Sequence, residues 1–140
     1  MFLVRLVYVS TVSRTLSTED IDQIISKARE HNSKNAVTGL LCFSSRYFLQ
    51  CLEGSREMVN QTYHKILNDP RHKNIVMLEY TDINSREFDS WWMGYMPESS
   101  LTEPINLKYS GTKDFSPYEM SGESAHNLML ALRNTVPVSN

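Results

Sequence analysis

The sequence predicts an α+β fold in which two amphipathic helices cover one face of a mostly antiparallel sheet. Strand and helix patterns alternate in the order β-α-β-β-α-β, followed by one more short strand. Both helix patterns are apolar on one side only, as expected for helices that pack on a sheet. The chain has 140 residues, of which 41% are apolar, so it can form one domain with a core and a short extension.

The first strand and helix are marked by local composition. Residues 2–9 are almost continuously apolar and β-branched, with only Arg5 as an interruption, which predicts a strand buried on both faces. Ser17 is typical of a helix N-cap, and Asp20 follows three residues later. The helix carries an apolar stripe made of Ile21, Ile24, Ile25 and Ala28.

A hairpin and a second helix follow. Residues 36–43 and 47–53 are rich in strand-forming residues, and the short polar link between them predicts a hairpin. Gly54 and Ser55 end the second strand and begin a helix, whose apolar stripe is Met58, Val59, Thr62, Tyr63, Ile66 and Leu67. That helix ends at Asp69-Pro70, because proline disfavours a helical residue before it.

The remainder of the chain predicts two further strands and a helical tail. The strands are expected at residues 74–81 and 91–96, and the tail helices at residues 101–109 and 120–134. The predicted architecture is therefore a ferredoxin-like β-α-β-β-α-β-β sheet with two helices on one face.

The predicted domain division is a globular part over residues 1–97 and a C-terminal helical extension over residues 98–140. Because the strands are apolar on both faces, the extension or a partner chain must cover the face that the two main helices leave open. This two-faced sheet also predicts a homo-oligomer.

Composition excludes several classes of protein. The formal charge of −2 provides no general electrostatic footprint for nucleic acid. No apolar run reaches about 18 residues, and the N-terminus lacks the features of a signal peptide, so no membrane association is expected. Cys42 and Cys51 do not make a disulfide framework, which favours a reduced, cytoplasmic protein with two buried structural cysteines.

The common enzyme signatures are missing from the sequence. It contains no G-x-G-x-x-G, no Walker loop and no G-x-S-x-G, and its histidines and cysteines lack the spacing of zinc ligands. We therefore expect no metal and no catalytic activity, and the length leaves no room for a cyclase or phosphodiesterase domain.

Several polar side chains fall where packing favours apolar ones. Asn32 lies about 20° from Ile21 around the first helix, at ~100° per residue, with His31 at the edge of the same stripe. Gln50 shares a strand face with large residues such as Phe48. An unpaired buried amide costs about 1–3 kcal/mol, so both amides indicate specific partners. The alternatives are that Asn32 caps a helix ending near residue 30, and that Gln50 either lies at an edge of the sheet or binds a water molecule in the core.

Tyr8 and a charged cluster complete the candidate residues. A buried tyrosine usually finds a hydrogen-bond partner, although a strand tyrosine alone is also typical of plain core. The end of the second helix is surrounded by Lys65, Asp69, Arg71 and His72, which alone are typical of a solvated helix end. The residues by themselves therefore leave the function open.

Five segments together resemble the BLUF domains, which are blue-light sensors that use flavin. They are LVYVS at 6–10, NAVTGLL at 35–41, FLQCLEG at 48–54, DPRH at 69–72 and FDSWWM at 88–93. Their order and spacing are those of the family over about residues 2–96. The helical tail also resembles that of the short, single-domain members.

The resemblance implies a flavin held between the two helices on one face of the sheet. The residues implied to bind it are Tyr8, Ile24, His31, Asn32, Phe48, Gln50, Lys65, Asp69, Arg71 and His72. The last four would line the mouth, where the ribityl chain and phosphate emerge. The cofactor implied is FAD, with FMN or riboflavin as alternatives because no glycine-rich loop is present.

The implied function is that of a photoreceptor. Light drives an electron and a proton from Tyr8 to the flavin through Gln50, and the altered hydrogen bonds of Gln50 signal through Trp91 and Met93 of strand five to the tail or to a partner protein. Ala28 stands where several relatives have serine, and the doubled tryptophan leaves open whether a tryptophan or Met93 lies beside Gln50.

Two other functions compete with this interpretation. One is a cofactor-free ferredoxin-like module that docks a partner protein. The other is an acylphosphatase-like hydrolase, which is disfavoured because residues 10–14 contain no glycine for a phosphate-cradling loop.

Overall fold

A computed structural model describes residues 2–135 as a five-stranded mixed sheet with helices on both faces. The strands are β1 (Leu3–Val12), β2 (Thr38–Phe43), β3 (Tyr47–Ser55), β4 (His72–Ile83) and β5 (Gly94–Met96). The α-helices are α1 (Thr18–Asn35), α2 (Arg56–Leu67), α3 (Glu103–Ser110) and α4 (Gly122–Thr135). The strand order β4-β1-β3-β2-β5, antiparallel except for the parallel β2–β5 pair, confirms the predicted ferredoxin-like fold.

Helix α1 extends further than its apolar stripe predicted. It begins after the expected N-cap: the Ser17 hydroxyl accepts from the Asp20 N–H, and the Asp20 carboxylate accepts from the Ser17 N–H. It ends only at Asn35, and Ala36 caps it in the left-handed region with φ of 54°. Residue 36 therefore does not start β2. Asn32 is an interior helical residue, so the alternative that it caps the helix is wrong.

The two faces of the sheet form separate cores, because alternate residues of each strand point to opposite sides. The face under α1 and α2 includes Val4, Leu6, Tyr8, Leu41, Phe48, Leu52 and Met93. The other face packs against the tail and includes Val9, Leu40, Leu49, Cys51, Phe88, Leu128 and Leu132. The tail thus covers the second face within a single chain.

The tail helices and the cysteines follow the sequence-based expectation closely. Helices α3 and α4 each begin two residues later than predicted. Cys42 and Cys51 are unbonded and fully buried in the second core, and burial raises the pKa of both thiols. Within residues 2–135, none of the helices combines the length and the apolarity that a membrane crossing requires.

Strand β5 is shorter than predicted, because the pre-β5 segment (residues 91–93) is bound partly by a helix. The carbonyl of Trp92 accepts from Nδ2 of Asn32 at 2.7 Å, and the carbonyl of Met93 accepts from Nε of Arg29 at 3.0 Å. These two carbonyls are held by α1 side chains, so the regular ladder with β2 starts only after them. The prediction that Trp91 and Met93 belong to strand five is therefore wrong.

Strand β4 lies at the edge of the sheet and begins at His72, two residues before its predicted start. Its register against β1 shifts between Val7 and Tyr8 and again between Val9 and Thr11. Such irregularities increase the local twist of an edge strand. His72 is thus the first residue of β4, and its N–H donates to the carbonyl of Asp69 at 3.1 Å, so it lies beside the end of α2 as expected.

Candidate cofactor site

A cavity of about 280 Å³ lies between α1 and α2 above the first core. Its volume is near the lower end of the range for small-molecule sites. All ten residues that the resemblance implied for flavin line it: Tyr8, Ile24, His31, Asn32, Phe48, Gln50, Lys65, Asp69, Arg71 and His72. The structure therefore brings these residues together around one space.

Five further residues line the same cavity, namely Lys27, Ala28, Leu41, Thr62 and Ile66. Sequence reasoning did not name four of them as site residues, and it treated Ala28 only as a departure from the family. Lys27 could have been found from helical spacing, because it lies three residues after Ile24 and four before His31 on the same side of α1.

Tyr8 and Gln50 form the polar centre of the cavity floor. They are paired across β1 and β3, and the Tyr8 hydroxyl donates to Oε1 of Gln50 at 2.5 Å. Only 1% of Tyr8 and 6% of Gln50 is exposed. Burial, with smaller effects from Asp69 and Tyr63, raises the pKa of Tyr8. The phenol is therefore neutral and acts as a hydrogen-bond donor at any ordinary pH.

Met93, and not a tryptophan, is the residue beside Gln50, which settles the alternative that the sequence left open. Nε2 of Gln50 donates to the Met93 sulfur at 3.2 Å, and Met93 is fully buried. Trp91 instead packs in the second core, stacked on Phe88 with ring centroids 6.0 Å apart, while 43% of Trp92 is exposed. The structure thus has what we call a Met-in arrangement, in which the methionine contacts Gln50 and both tryptophans lie elsewhere.

The Asn32 side chain makes one hydrogen bond within the described residues, although its amide has two N–H donors and two acceptor lone pairs. Its Nδ2 donates to the carbonyl of Trp92, while no hydrogen bond to its Oδ1 is found within residues 2–135. The side chain is 1% exposed and lines the cavity, so its amide oxygen is left for a ligand donor.

His31 links the two helices that enclose the cavity. Its Nε2 lies 3.1 Å from the Thr62 hydroxyl of α2, and its Nδ1 lies 3.3 Å from Nζ of Lys65. Burial lowers the pKa of His31, and the positive charges of Lys65 and Lys34 lower it further. The ring is therefore neutral near pH 7, and its Nδ1 can accept a hydrogen bond from the Lys65 ammonium.

The mouth of the cavity contains one compensated ion pair. Arg71 donates from Nε to Oδ1 of Asp69 at 3.0 Å and from Nη2 to Oδ2 at 2.6 Å. Burial alone would raise the pKa of Asp69, but the hydrogen bonds and charge of Arg71 outweigh it and hold that pKa below its usual value. Lys27 and Lys65 have no carboxylate partner within the described chain, so the lining carries excess positive charge.

His72 adds a neutral ring to this region. Its Nδ1 lies 2.7 Å from the Ser10 hydroxyl, and its ring packs on Phe48 with centroids 4.3 Å apart. Burial lowers the pKa of His72 to about 4, with Asp69 acting in the opposite direction. At neutral pH the ring is therefore uncharged, and its Nδ1 shares one hydrogen bond with the Ser10 hydroxyl.

The chemistry of this lining fits a flavin. Apolar side chains such as Ile24, Phe48 and Ile66 offer contacts for a planar ring, and the amides of Asn32 and Gln50 match an edge that carries both donors and acceptors. Lys27 and Lys65, which have no carboxylate partner among the described residues, suit a phosphate-bearing chain.

Comparison with known proteins identifies the family. Residues 3–94 match the family model BLUF, described as sensors of blue-light using FAD. The chain is 32% identical to photoactivated adenylate cyclase subunit beta of Euglena longa, over 91% of this chain and 16% of that protein. It is 40% identical to the blue light- and temperature-regulated antirepressor BluF of Escherichia coli (strain K12), over 54% of this chain and 19% of that protein. The chain spans less than a fifth of the length of these curated relatives.

Solved structures match over more of the chain. The photo-activated state of BlsA has a TM-score of 0.88 at 28% identity and covers 99% of both chains. The dark state of the BLUF protein BlrB has a TM-score of 0.76 at 26% identity, over 93% of this chain and 96% of that one. With a family model matched over most of the sheet and its two main helices, the chain belongs to the BLUF family of flavin-based blue-light sensors.

Proposed function

We propose that this chain is a blue-light photoreceptor that binds flavin non-covalently in the cavity between α1 and α2. The observation that carries the proposal is the buried chain of contacts from Tyr8 through Gln50 to Met93, which begins at the cavity floor. FAD is the proposed flavin, following the family description. FMN and riboflavin are further candidates, because the sequence has no glycine-rich loop of the kind that holds phosphate groups.

The cavity residues receive distinct roles in this proposal. Ile24 and Phe48 would form apolar walls for the ring, and the free oxygen of Asn32, beside His31, would accept from its polar edge. The ribityl and phosphate end would lie near the mouth, at Lys65, Asp69, Arg71 and His72. Lys27 is a further cation on that side, which sequence reasoning did not include.

A bound flavin, once excited by blue light, supplies a strong one-electron oxidant. Tyr8 is the electron donor, and its hydroxyl proton leaves along the 2.5 Å hydrogen bond to Oε1 of Gln50, because an oxidised phenol no longer retains its proton. Return of the electron and a proton restores the phenol. Gln50 would be left rotated or tautomerised. No covalent bond to the flavin would be made, so the change would reverse in the dark.

The altered Gln50 then changes its contact with Met93. Nε2 of Gln50 is the group that holds the Met93 sulfur in the observed state. Rotation of the amide removes that donor, so the pre-β5 segment moves to a second packing arrangement. We propose that this movement is the signal to the tail or to a partner protein, and we assign no catalytic reaction to the chain.

Two further predictions concern assembly and location. The homo-oligomer was predicted because one sheet face lacked a cover, and α4 now covers that face, so this particular reason no longer holds. Oligomeric state and a cytoplasmic location both stay predictions. The alternative function, a cofactor-free interaction module, predicts a different result from the photoreceptor, because such a protein would be colourless when purified.

The test is the absorption spectrum of the purified protein. We expect a yellow protein whose visible band shifts to the red under blue light and returns in the dark. Gln50→Leu should keep the colour and lose the shift, whereas the control Gln61→Leu, an exposed glutamine of α2, should keep both. A colourless protein that takes up no added FAD, FMN or riboflavin would instead support the interaction module.

A further inference from the structure

Glu53 is a fully buried carboxylate that the proposed photochemistry does not use. It lies three residues after Gln50 on β3, so its side chain points to the opposite face of the sheet. Its carboxylate accepts from the Thr38 hydroxyl at 3.0 Å and from the backbone N–H groups of Glu87 at 2.6 Å and Phe88 at 3.0 Å. The sheet therefore holds residues 87–88 through one side chain.

Helix α4 holds the same two residues from the other side. Nη1 of Arg133 donates to the carbonyl of Glu87 and lies 3.2 Å from its carboxylate. The Arg133 guanidinium also lies over the Phe88 ring, 5.9 Å from its centroid, and His126 meets that ring edge-on. Residues 87–88 are thus fixed between β3 and α4.

The chain from this fixed point leads directly to the pre-β5 segment. Phe88 is 1% exposed and stacks on Trp91, and the Trp91 N–H donates to the Phe88 carbonyl at 3.1 Å. Two residues further on, Met93 contacts Gln50. We call residues 87–93 the bridging loop, because one end meets Gln50 and the other end meets α4.

We propose that Glu53 is a positioning residue that couples the bridging loop to α4, so that a displacement at Met93 is passed to α4 through Arg133. This inference rests on the proposed photoreceptor function. A loop held only by its chain neighbours would absorb a small displacement locally, whereas two buried hydrogen bonds to a rigid strand leave few alternative arrangements for residues 87–88. The output element is then α4, on the face of the sheet opposite the cavity.

The test measures α4 and the chromophore in the same sample. Hydrogen exchange of α4 amides is followed by mass spectrometry in the dark and under blue light, together with the visible spectrum. We expect wild type to show a light-dependent change in α4 exchange. Glu53→Gln and Arg133→Gln should each keep the red shift and lose most of the α4 change. Lys34→Gln, which removes an exposed ion pair on α1, is the matched control and should change neither.

The outcomes separate this inference from the proposed function. Arg133 is partly exposed, so Arg133→Gln decides the question if Glu53→Gln does not fold. A normal red shift with no light-dependent change in α4 of wild type, or with the full change kept in Arg133→Gln, overturns the coupling and leaves the photoreceptor intact. Absence of the red shift in wild type overturns the photoreceptor and the coupling together.

Discussion

Replacement of Tyr8 by phenylalanine removes one oxygen atom from the centre of the site. The ring keeps its contacts with Tyr63 and His72, whose centroids lie 5.8 and 6.0 Å away. The lost hydroxyl made one hydrogen bond within residues 2–135, to Oε1 of Gln50. That buried oxygen then lacks a donor, which costs about 1–3 kcal/mol. A domain of this size has about 5–15 kcal/mol of stability, so Tyr8→Phe should still fold.

Absorption spectra before and after blue light, with urea unfolding of the same samples, test this expectation. Tyr8→Phe should keep the yellow colour, show no red shift and lose about 1–3 kcal/mol of unfolding free energy. The matched control is Tyr63→Phe, which removes a hydroxyl from the neighbouring ring and should keep the shift. If Tyr8→Phe shifts like wild type, Tyr8 is not the electron donor and its hydroxyl has a structural role only.

Three further predictions follow from the same contacts. Asn32→Ala should weaken flavin retention, measured by titration of the apoprotein, and unchanged affinity would show that the amide only holds the Trp92 carbonyl. Met93→Ala should lower the free energy of unfolding by about 2–5 kcal/mol, because it removes a fully buried side chain. It should keep the spectral cycle and reduce the light-dependent change in hydrogen exchange of α4, and an unreduced change would contradict the proposed route. The free energy of unfolding should fall as pH drops from about 6.5 to about 4, because over this range His72 binds a proton in the unfolded chain but not in the folded one. His72 should account for up to about 3 kcal/mol of this loss. His72→Gln should flatten the pH dependence of urea unfolding, and an unchanged dependence would contradict the assignment to His72.

Local patterns predicted the elements that local interactions determine. Ser17 and Asp20 close their capping box within four residues, so the start of α1 could be located from the sequence. The end of the second helix was predicted at Asp69-Pro70, and α2 ends slightly earlier, at Leu67. Asn32 and Gln50 were found for the same reason, since an amide within an apolar stripe is visible in the local pattern. The family resemblance then placed these residues around one ligand.

Contacts between distant segments could not be predicted in this way. The start of β5 depends on Asn32 and Arg29, which hold carbonyls 60 and 64 positions away in the chain, and no local pattern encodes that pairing. Glu53 was missed although a signal existed. A carboxylate in a strand whose neighbours are apolar must be buried with donors or placed at an edge, and the donors that bury it lie 34 and 35 residues further on.

Asn32 shows how one amide can connect a ligand with the signalling segment. Sequence reasoning sought a single partner for the buried side chain, but the structure divides its capacity: the amide N–H group binds the Trp92 carbonyl, and the oxygen is left for the cavity. The adjacent residue, Met93, is bound by Gln50. Two cavity residues therefore hold consecutive positions of the pre-β5 segment. A ligand that reorients either amide directly alters a contact to the pre-β5 segment. Ligand binding and the first step of signalling therefore use the same side chains, and no intermediate residues are needed between the cavity and this segment.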